Sequence, residues 1–512
     1  MSENSVAERR KSTGEATNRL EKRLKELAGK EEQTWKQIWG MTFSELQEAL
    51  RCGKFSASTT LHGRWIEEAE ETANRLDERY RHGDDTRPAL FGIPFSIKEH
   101  IMIQGYYATL IQVEHCSSST VSHAGAVALC TTNVPQTLAC RGCDNPVYGT
   151  TKNPFNNGQN SLSPGGSSGG EATLAACGGS AFGVGTDGAG SCRLPAALCG
   201  VCGFKPTATR VTPDGMAVPV AGTLEGLGVT MGPLSSDVDA LAACLSVMFD
   251  GVEHRLDPYR MPQSFNRDLY KSTRPLTIGY YCDDGVIEPV QQVQRAVRKA
   301  ADFLASKGHT LVKWRLPDAE RATFNCFVAF LNDTGIGITE KLNAGLVSDL
   351  NKELYRFFDP AQREEWAKQK GPLNKRFAGE MPRTAGDVRR AFAFMHEYRS
   401  RVCAEWNELR LDAVICPPLA CPPIDHKLAI ENLILANYTA PYNVLDFAAG
   451  VVTIGKVEKE EAYKPSNVDA DIAKIFQEAK FKGLPLAVQV AARPADDEVA
   501  LRVMKELEEY KD

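Results

Sequence analysis

The segment that decides the fold is SPGGSSGGEATLAACGGSAFGVGTDGAGSCRLPAALCGVCGFKPT, residues 163–207. Between Gly165 and Gly203 it holds 12 of the chain's 42 glycines within 39 residues, although the chain is 512 residues long. Glycine lets the backbone approach another group closely and adopt conformations that other residues avoid. We therefore expect this segment to hold its backbone against other groups, or to turn backbone amides toward a negative charge.

Two common explanations of such a glycine-rich segment fit the residues poorly. A phosphate-binding loop of the form G-x-x-x-x-G-K-[ST] is absent, because no lysine follows the glycines until Lys205. A nucleophile elbow, G-x-S-x-G, occurs around Ser167 and again around Ser168, but residues 161–164 make a poor preceding strand. The histidines downstream stand in no context typical of a catalytic partner. A third explanation requires a base other than histidine.

Lys98 is the candidate for that base. It ends the segment GIPFSIK, residues 92–98, whose apolar pattern predicts a buried strand. Burial disfavours the charged form of a lysine and lowers its pKa, so a neutral amine becomes available to accept a proton. Taken alone, Lys98 could equally be a residue at a strand end whose amine reaches solvent.

Four motifs in a fixed order make the chain resemble the amidase signature family. They are GIPFSIK at 92–98, GGSSGGE at 165–171, GTDGAGSCRLPA at 185–196 and CGVCGFKPT at 199–207. The resemblance implies an α/β fold with a single large mixed β-sheet flanked by helices. It also implies an enzyme that hydrolyses carboxylic amides without a metal or an organic cofactor.

The resemblance assigns roles to individual residues of the site. Ser191 would be the nucleophile that forms an acyl-enzyme, Ser167 the bridging serine and Lys98 the base. The backbone amides of Gly188, Ala189, Gly190 and Ser191 would form an oxyanion hole. A cis peptide bond would precede Ser167.

Shorter matches resemble the animal fatty acid amide hydrolases within that family. They are TNVPQ at 132–136, CDNP at 143–146, YNVLDF at 442–447 and GLPLAVQ at 483–489. They imply that the substrates are small-molecule or lipid amides, such as N-acylethanolamines and primary fatty amides, and that the enzyme is a homodimer. Leu138 and Phe447 lie near these matches and are predicted to line an acyl pocket, with core packing as the alternative for each.

Three features depart from the family pattern. Ala189 occupies a position where the family usually has glycine, and alanine would be strained there if the position needs a positive φ. The segment 109–124 is shorter than the family pattern, which leaves open a catalytically impaired protein that binds or acts as a scaffold. The segment 358–377 is charged, whereas the animal enzymes carry a hydrophobic cap there, so we expect peripheral membrane contact at most. An amidase for small polar amides is a further alternative, because it would differ only in its pocket.

Composition and charge narrow the classes of partner. A net charge of −6 and a pI near 6.0 provide no basic field that would hold nucleic acid. The N-terminal residues contain no apolar segment typical of a secretory signal, and no apolar run reaches the ~18 residues of a transmembrane helix. We therefore expect an intracellular protein that is cytoplasmic or peripherally attached to a membrane.

The cysteines provide one metal-binding alternative. The chain has 15 cysteines, an odd number that cannot be paired completely within one chain. Cys140 and Cys143, followed by Cys199 and Cys202, form two C-x-x-C pairs like those of zinc sites. However, 55 residues separate the two pairs, far more than the usual ~12–20.

The apolar periodicity predicts a helical region over residues 1–80, and the resemblance implies the amidase signature domain over 81–512. Strands interleaved with helices in the second region favour one large α/β sheet. A buried strand with turns is predicted over residues 91–103, and further predicted strands cover residues 125–132, 181–187, 200–204, 276–281, 310–314, 413–416, 450–457 and 486–491. Predicted helices cover residues 171–177, 289–306, 386–408 and 496–510.

Overall fold

The computed structural model describes residues 41–51, 66–80, 86–102, 119–156, 161–218, 226–250, 257–343, 345–466 and 468–510. Within these ranges, twelve strands form a ten-stranded sheet and a separate two-stranded hairpin. The strands are β1 (Pro94–Lys98), β2 (Val127–Thr132), β3 (Asp144–Asn145), β4 (Gly149–Thr150), β5 (Phe182–Asp187), β6 (Cys202–Lys205), β7 (Thr230–Ser235), β8 (Thr277–Tyr280), β9 (Thr310–Lys313), β10 (Ala413–Cys416), β11 (Ala448–Lys456) and β12 (Pro485–Ala492).

The large sheet is mixed. Its strand order is β2-β1-β5-β7-β6-β11-β12-β10-β8-β9. At one edge β1 is parallel to β2 and β5, and at the other β8 is parallel to β9 and β10. Between these edges the sheet order is β5, β7, β6, β11, β12 and β10, and each of these strands runs antiparallel to the next. The prediction of one large mixed α/β sheet is therefore confirmed.

Helices flank this sheet. They are α1 (Phe43–Arg51), α2 (Ile66–Arg79), α3 (Ser119–His123), α4 (Gly169–Ala176), α5 (Arg193–Cys199), α6 (Val238–Asp250), α7 (Arg267–Lys271), α8 (Gln291–Ser306), α9 (Ala319–Phe330), α10 (Ile336–Asn343), α11 (Lys352–Phe358), α12 (Arg363–Lys368), α13 (Pro372–Glu380), α14 (Ala385–Leu409), α15 (His426–Glu431), α16 (Ala440–Val444), α17 (Ala470–Glu478) and α18 (Asp497–Glu508). Among the helices of the described ranges, none combines the length and the apolar composition that a membrane crossing requires.

The sheet separates two apolar clusters. Side chains on opposite faces of β12 belong to different clusters. Val488 and Val490 contact one cluster, whereas Ala487 and Ala491 contact the other. Successive side chains of a strand point to opposite faces, so a strand buried on both faces serves both clusters. The site described below lies at one end of this doubly covered sheet.

Helix α14 shows how local sequence sets an element that supports the site. Thr384 caps its start, because the Thr384 hydroxyl accepts from the Asp387 amide while the Asp387 carboxylate accepts from the Thr384 amide. The buried residues of the helix recur every three to four positions and turn one face to the core. At the end of that face the Trp406 ring packs edge-on against Trp314, 5.7 Å away.

The charged segment 358–377 folds so that its aromatic residues are covered. Phe357 and Phe377 stack with ring centroids 5.2 Å apart, and Trp366 packs edge-on against Phe357. All three rings are buried, while charged residues such as Glu364 and Lys368 are exposed. This segment therefore presents charge outward, as the sequence indicates.

Two sequence-based predictions fall partly outside the described residues. Of the predicted helical region 1–80, only α1 and α2 are described, and the Phe43 ring of α1 packs against Phe182 of the sheet at 6.4 Å. The boundary at residue 80 stays a prediction. Of the short segment 109–124, residues 109–118 lie outside the described ranges, and the remainder contains α3.

Candidate active site

Lys98 is buried at the carboxyl end of β1. Its side chain is 0% exposed, and its Nζ lies 2.7 Å from Ser167 Oγ and 2.8 Å from Thr186 Oγ1. Thr186 belongs to β5, the parallel neighbour of β1, so two adjacent strand ends bring these groups together. Burial lowers the pKa of Lys98 to about 8, and the amine loses its proton far more readily than an exposed lysine does.

Ser167 is held in the turn that leads into α4. The peptide bond between Gly166 and Ser167 is cis, as the resemblance implied. A side chain at Gly166 would meet the carbonyl oxygens of Cys140 and Gly142, each 2.3 Å from a Cβ placed there. Only glycine fits this close approach of two backbones, which is one reason why the segment is rich in glycine.

Ser191 lies in the turn between β5 and α5. Its carbonyl oxygen accepts from the amide of Ser168 at 3.1 Å, which ties this turn to the one that carries Ser167. Ser167 and Ser191 line the same cavity. The structure thus brings Lys98, Ser167 and Ser191 to one place, although up to 93 residues separate them in sequence.

A buried ion pair fixes the turn that carries Ser191. The Asp187 carboxylate accepts from Arg193 Nε and Nη2, both at 2.9 Å, and neither side chain is exposed. Arg193 also donates to the Asn443 and Gln489 side chains and to the Thr439 carbonyl. Burial alone would raise the pKa of Asp187, but the charge and hydrogen bonds of Arg193 outweigh it and hold that pKa well below its usual range.

The backbone amides near Ser191 are not equivalent. The Gly190 amide donates to Asp187 Oδ1 at 2.8 Å and is therefore committed to the turn itself. The amides of Gly188, Ala189 and Ser191 have no acceptor among the described residues. The predicted oxyanion hole thus needs a correction: Gly190 is occupied by a carboxylate, and three of the four predicted donors stay available.

Ala189 does not carry the strain that its substitution for glycine suggested. The positive φ of this turn falls on Gly190, at +119°, and Ala189 is not among the residues with positive φ. A Cβ on Gly190 would lie 2.3 Å from Thr439 Oγ1. Ala189 meets the same hydroxyl through its backbone, because its carbonyl oxygen accepts from Thr439 Oγ1 at 2.7 Å. The position that requires glycine is therefore the one directly before Ser191.

His100 is a polar neighbour of the site that sequence reasoning missed. Its Nε2 lies 3.2 Å from Thr186 Oγ1, its ring lines the cavity, and its Nδ1 has no partner among the described residues. Burial, together with the nearby charge of Lys98, holds the pKa of His100 well below its usual value, so the ring is neutral. Because His100 pairs with Thr186 rather than with a serine, it does not supply the histidine that a nucleophile elbow needs.

The cavity that contains both serines is mainly apolar. It encloses about 770 Å³ of empty space, part of it open to solvent. Leu138 lines it, as predicted, although its role toward a substrate stays a prediction. Further apolar lining residues come from distant parts of the chain: Met216, Val229, Phe327, Phe330 and Leu433.

Phe447 lies elsewhere, and its predicted place on the pocket wall needs a correction. The side chain is 0% exposed, packs edge-on against Trp406 at 4.9 Å and lies beside Tyr442. It directly precedes β11 and points into the cluster that α14 covers. Core packing, the alternative for this residue, is what the structure shows.

The two cysteine pairs do not converge on a metal site. The thiol of Cys140 lies 3.7 Å from Asn351 Oδ1, and that of Cys143 donates to the Asn133 carbonyl at 3.3 Å. In the part of the chain that the structure describes, no three or more His, Cys, Asp or Glu side chains cluster as metal ligands would. The described cysteines therefore give the zinc alternative no support.

Comparison with known proteins agrees with this geometry. The profile of the Amidase family matches residues 50–501. Fatty-acid amide hydrolase 1 of Sus scrofa is 34% identical over 449 residues, which cover 82% of this chain and 75% of that protein. Fatty acid amide hydrolase 1 of Caenorhabditis elegans is 31% identical over 474 residues, covering 87% and 81%. An acetamidase of Aspergillus oryzae is 25% identical over 467 residues, covering 86% and 81%.

Solved structures show the same fold. A fatty acid amide hydrolase superposes with a TM-score of 0.76 at 23% identity, covering 92% of this chain and 85% of that one. The chain belongs to the amidase family, and the resemblance noted in its four motifs is confirmed. It is accordingly an enzyme that hydrolyses amides.

Proposed function

We propose that this amidase hydrolyses fatty acid amides, both primary amides and N-acylethanolamines, through an acyl-enzyme on Ser191. The observation that carries the proposal is the 2.7 Å hydrogen bond between Lys98 and Ser167, beside the apolar cavity that Ser167 shares with Ser191. In this arrangement Lys98 can act as the base, Ser167 as the bridging hydroxyl and Ser191 as the hydroxyl that reaches the substrate in the cavity.

Acylation begins with proton transfer through the two serines. Neutral Lys98 Nζ takes the proton of Ser167 Oγ while Ser167 takes the proton of Ser191 Oγ. Ser191 Oγ forms a bond to the amide carbonyl carbon, and the C–N bond breaks as the leaving nitrogen receives a proton back through Ser167. The amine or ammonia departs, and the acyl group remains as an ester on Ser191.

Deacylation uses the same groups in the reverse sense. Water loses a proton to the Ser167–Lys98 pair and attacks the ester carbonyl carbon. The ester bond to Ser191 Oγ breaks, this oxygen regains its proton, and the free acid leaves. Lys98 ends the cycle as a neutral amine.

The developing oxyanion needs hydrogen-bond donors that are free beforehand. The amides of Gly188, Ala189 and Ser191 meet this condition among the described residues, since no carbonyl or carboxylate accepts from them. Donors arranged in advance are worth roughly 2.7–4 kcal/mol each in enzymes of this kind. The Asp187–Arg193 pair holds the turn in which these amides lie.

Two observations favour a fatty acid amide as the substrate. The cavity wall is mainly apolar, which suits an acyl chain better than a small polar amide. Two relatives above 30% identity are named fatty acid amide hydrolases, whereas the acetamidase relative is more distant. A catalytically impaired scaffold is disfavoured, because the hydrogen bond between Lys98 and Ser167 is formed.

The proposal is tested by labelling and by turnover. A fluorophosphonate probe should form an adduct on Ser191, and Ser191→Ala should abolish that labelling. Oleamide should be hydrolysed with a higher kcat/KM than acetamide. Labelling that survives Ser191→Ala would refute the proposed nucleophile, and a preference for acetamide would refute the fatty amide assignment. Homodimer formation and peripheral membrane contact stay predictions.

A further inference from the structure

Arg141 is a buried cation that has no anionic partner among the described residues. It lies in the loop before β3 and is 8% exposed. Its one side-chain hydrogen bond in the described part of the chain is long, from Nη1 to the Leu433 carbonyl at 3.5 Å. A buried charge is costly and is normally compensated by an ion pair or by several hydrogen bonds.

The four other buried arginines of the described residues each have a carboxylate partner or several carbonyl acceptors, and Arg502 pairs with Glu506 at 2.9 Å. Arg193 pairs with Asp187, and Arg210 pairs with two carboxylates of α18 at 2.9 Å each. Arg363 has no carboxylate partner, but it donates to three carbonyls at 2.7 to 3.0 Å. Arg141 has neither kind of compensation among the described residues, so its guanidinium has donors that are free to bind another group.

The nearest titratable groups do not supply the missing charge. Burial raises the pKa of Cys140 to about 12 and that of Cys421 to about 12, so both thiols are neutral. Burial lowers the pKa of Arg141 to about 9, and the guanidinium still keeps its proton at neutral pH. Among the described residues, this positive charge therefore has no anionic partner.

Arg141 belongs to the wall of the proposed catalytic cavity. Arg141 lines the cavity that contains Ser191, and so does Leu433, whose carbonyl the guanidinium reaches. The remaining wall is mainly apolar, with Leu138 and Phe327 among its side chains. A ligand that satisfies both features has an apolar chain and one negative group.

We infer that the amide substrate carries a carboxylate, which pairs with Arg141 inside the cavity. This inference rests on the proposed function and narrows its substrate class. The planar guanidinium matches a carboxylate through two parallel hydrogen bonds. The carboxylate sits either on the amine portion, as in an N-acyl amino acid, or at the far end of the acyl chain. In both cases the carboxylate does not react, and the bond that breaks is the amide C–N bond.

Three substrates that share an 18-carbon acyl chain separate these cases. N-oleoylglycine carries the carboxylate on the amine, the monoamide of octadecanedioic acid carries it on the acyl chain, and N-oleoylethanolamine carries none. The measured quantity is the ratio of kcat/KM for each carboxylated amide to that for the neutral one. In the wild type we expect this ratio to exceed one for one of the two acids.

Arg141→Met should lower that ratio by roughly 30-fold or more, because a charge-assisted pair is lost. Arg141→Lys keeps a positive charge but lacks the planar guanidinium, and it should lower the ratio less. Arg363→Met removes a buried guanidinium remote from the cavity wall and should leave the ratio unchanged. Fluorophosphonate labelling of Ser191 reports whether each variant is folded. Should Arg141→Met fail to label, Arg141→Gln, which keeps a donor for the Leu433 carbonyl, is measured in its place.

The outcomes separate the inference from the proposed function. Hydrolysis of the neutral amide with a ratio that the Arg141 variants do not change overturns the inference and leaves the proposed function standing. A wild-type ratio below one for both acids overturns it as well. Failure to hydrolyse any of the three amides refutes the proposed function and the inference with it.

Discussion

Lys98 and Ser167 form a 2.7 Å hydrogen bond between side chains that are 0% and 2% exposed. Water is thereby kept from the Lys98 amine, which depends on the hydroxyl groups of Ser167 and Thr186 for its solvation. The chemistry proposed for this enzyme follows from this contact, because a lysine in such surroundings is easily made neutral.

The pH dependence of hydrolysis should report the pKa of Lys98. Burial lowers this pKa to about 8, and the neutral amine is the form that accepts a proton. We expect kcat/KM to rise about tenfold per pH unit below pH 8 and to level off above it. Measurement with a fatty amide across this range checks the prediction. A rate that is already constant between about pH 6 and 8 would contradict it.

Substitution of Lys98 should abolish efficient turnover whether or not the positive charge is kept. Lys98→Met removes the base, and Lys98→Arg replaces it with a group that does not give up its proton. Both should lower kcat by roughly 10²–10⁴-fold. Circular dichroism confirms that the variants are folded. An active Lys98→Arg enzyme would show that the residue serves only as a positive charge.

The adjacent serines offer a matched pair for the bridging role. Ser167→Ala removes the hydroxyl that contacts Lys98 and should lower both kcat and the rate of fluorophosphonate labelling by ~10²-fold or more. Ser168→Ala removes a hydroxyl that bonds to the Thr186 carbonyl instead, and its effect on kcat should be far smaller. Equal losses in the two variants would mean that the turn, rather than the relay, has been damaged.

Glycine and alanine should not be interchangeable at the two positions before Ser191. Gly190→Ala places a Cβ against Thr439 at a positive φ and should cost ~1–3 kcal/mol of stability as well as most of the activity. Ala189→Gly, at a position of ordinary φ, should change stability by no more than ~1 kcal/mol. Urea unfolding and oleamide turnover measure the two effects. If Gly190→Ala left both stability and turnover unchanged, the turn would accept a Cβ in spite of its close contacts, which would contradict this prediction.

Asp187→Asn should weaken the fold in a pH-dependent way. The pKa of Asp187 is lowered from 3.8 in the folded protein, so its contribution is present above that value and is lost as pH falls toward the folded-state pKa. Removal of one partner of such a buried pair costs roughly 3–5 kcal/mol. Urea unfolding should show a constant difference from wild type between about pH 7 and 5, which shrinks below about pH 4. A difference that already vanishes at pH 5 would contradict this.

Much of the fold could be predicted because many elements carry a local pattern. The prediction of a strand over 413–416 matches β10, and that of a helix over 386–408 lies within α14. β7 was missed because its central Gly232 and Pro233 resemble a turn, yet Pro233 lies opposite Val184 in the middle of the sheet. Helices α11 to α13 were missed because charged residues interrupt the pattern of their buried aromatic ones.

The site was predictable only to the extent that its residues are near in sequence or carried by motifs. The motifs predicted that Lys98, Ser167 and Ser191 share one region, and the structure places them there, while their catalytic roles stay a prediction. They could not place Arg141, whose hydrogen-bond acceptor is 292 residues away, nor show that Phe447 points into the core. Such facts depend on how distant segments pack, and no local pattern records them.

The turn that carries Ser191 is held from the far end of the chain, because Arg193 donates to the Thr439 carbonyl and to Gln489 of β12. During synthesis the chain contains all three proposed catalytic residues once residue 191 is made. The groups that brace them follow some 250 to 300 residues later, as the separations of 246 and 296 residues show. A nascent chain therefore carries the proposed catalytic residues before it carries the groups that hold their turn, and we expect hydrolysis only after β12 has joined the sheet.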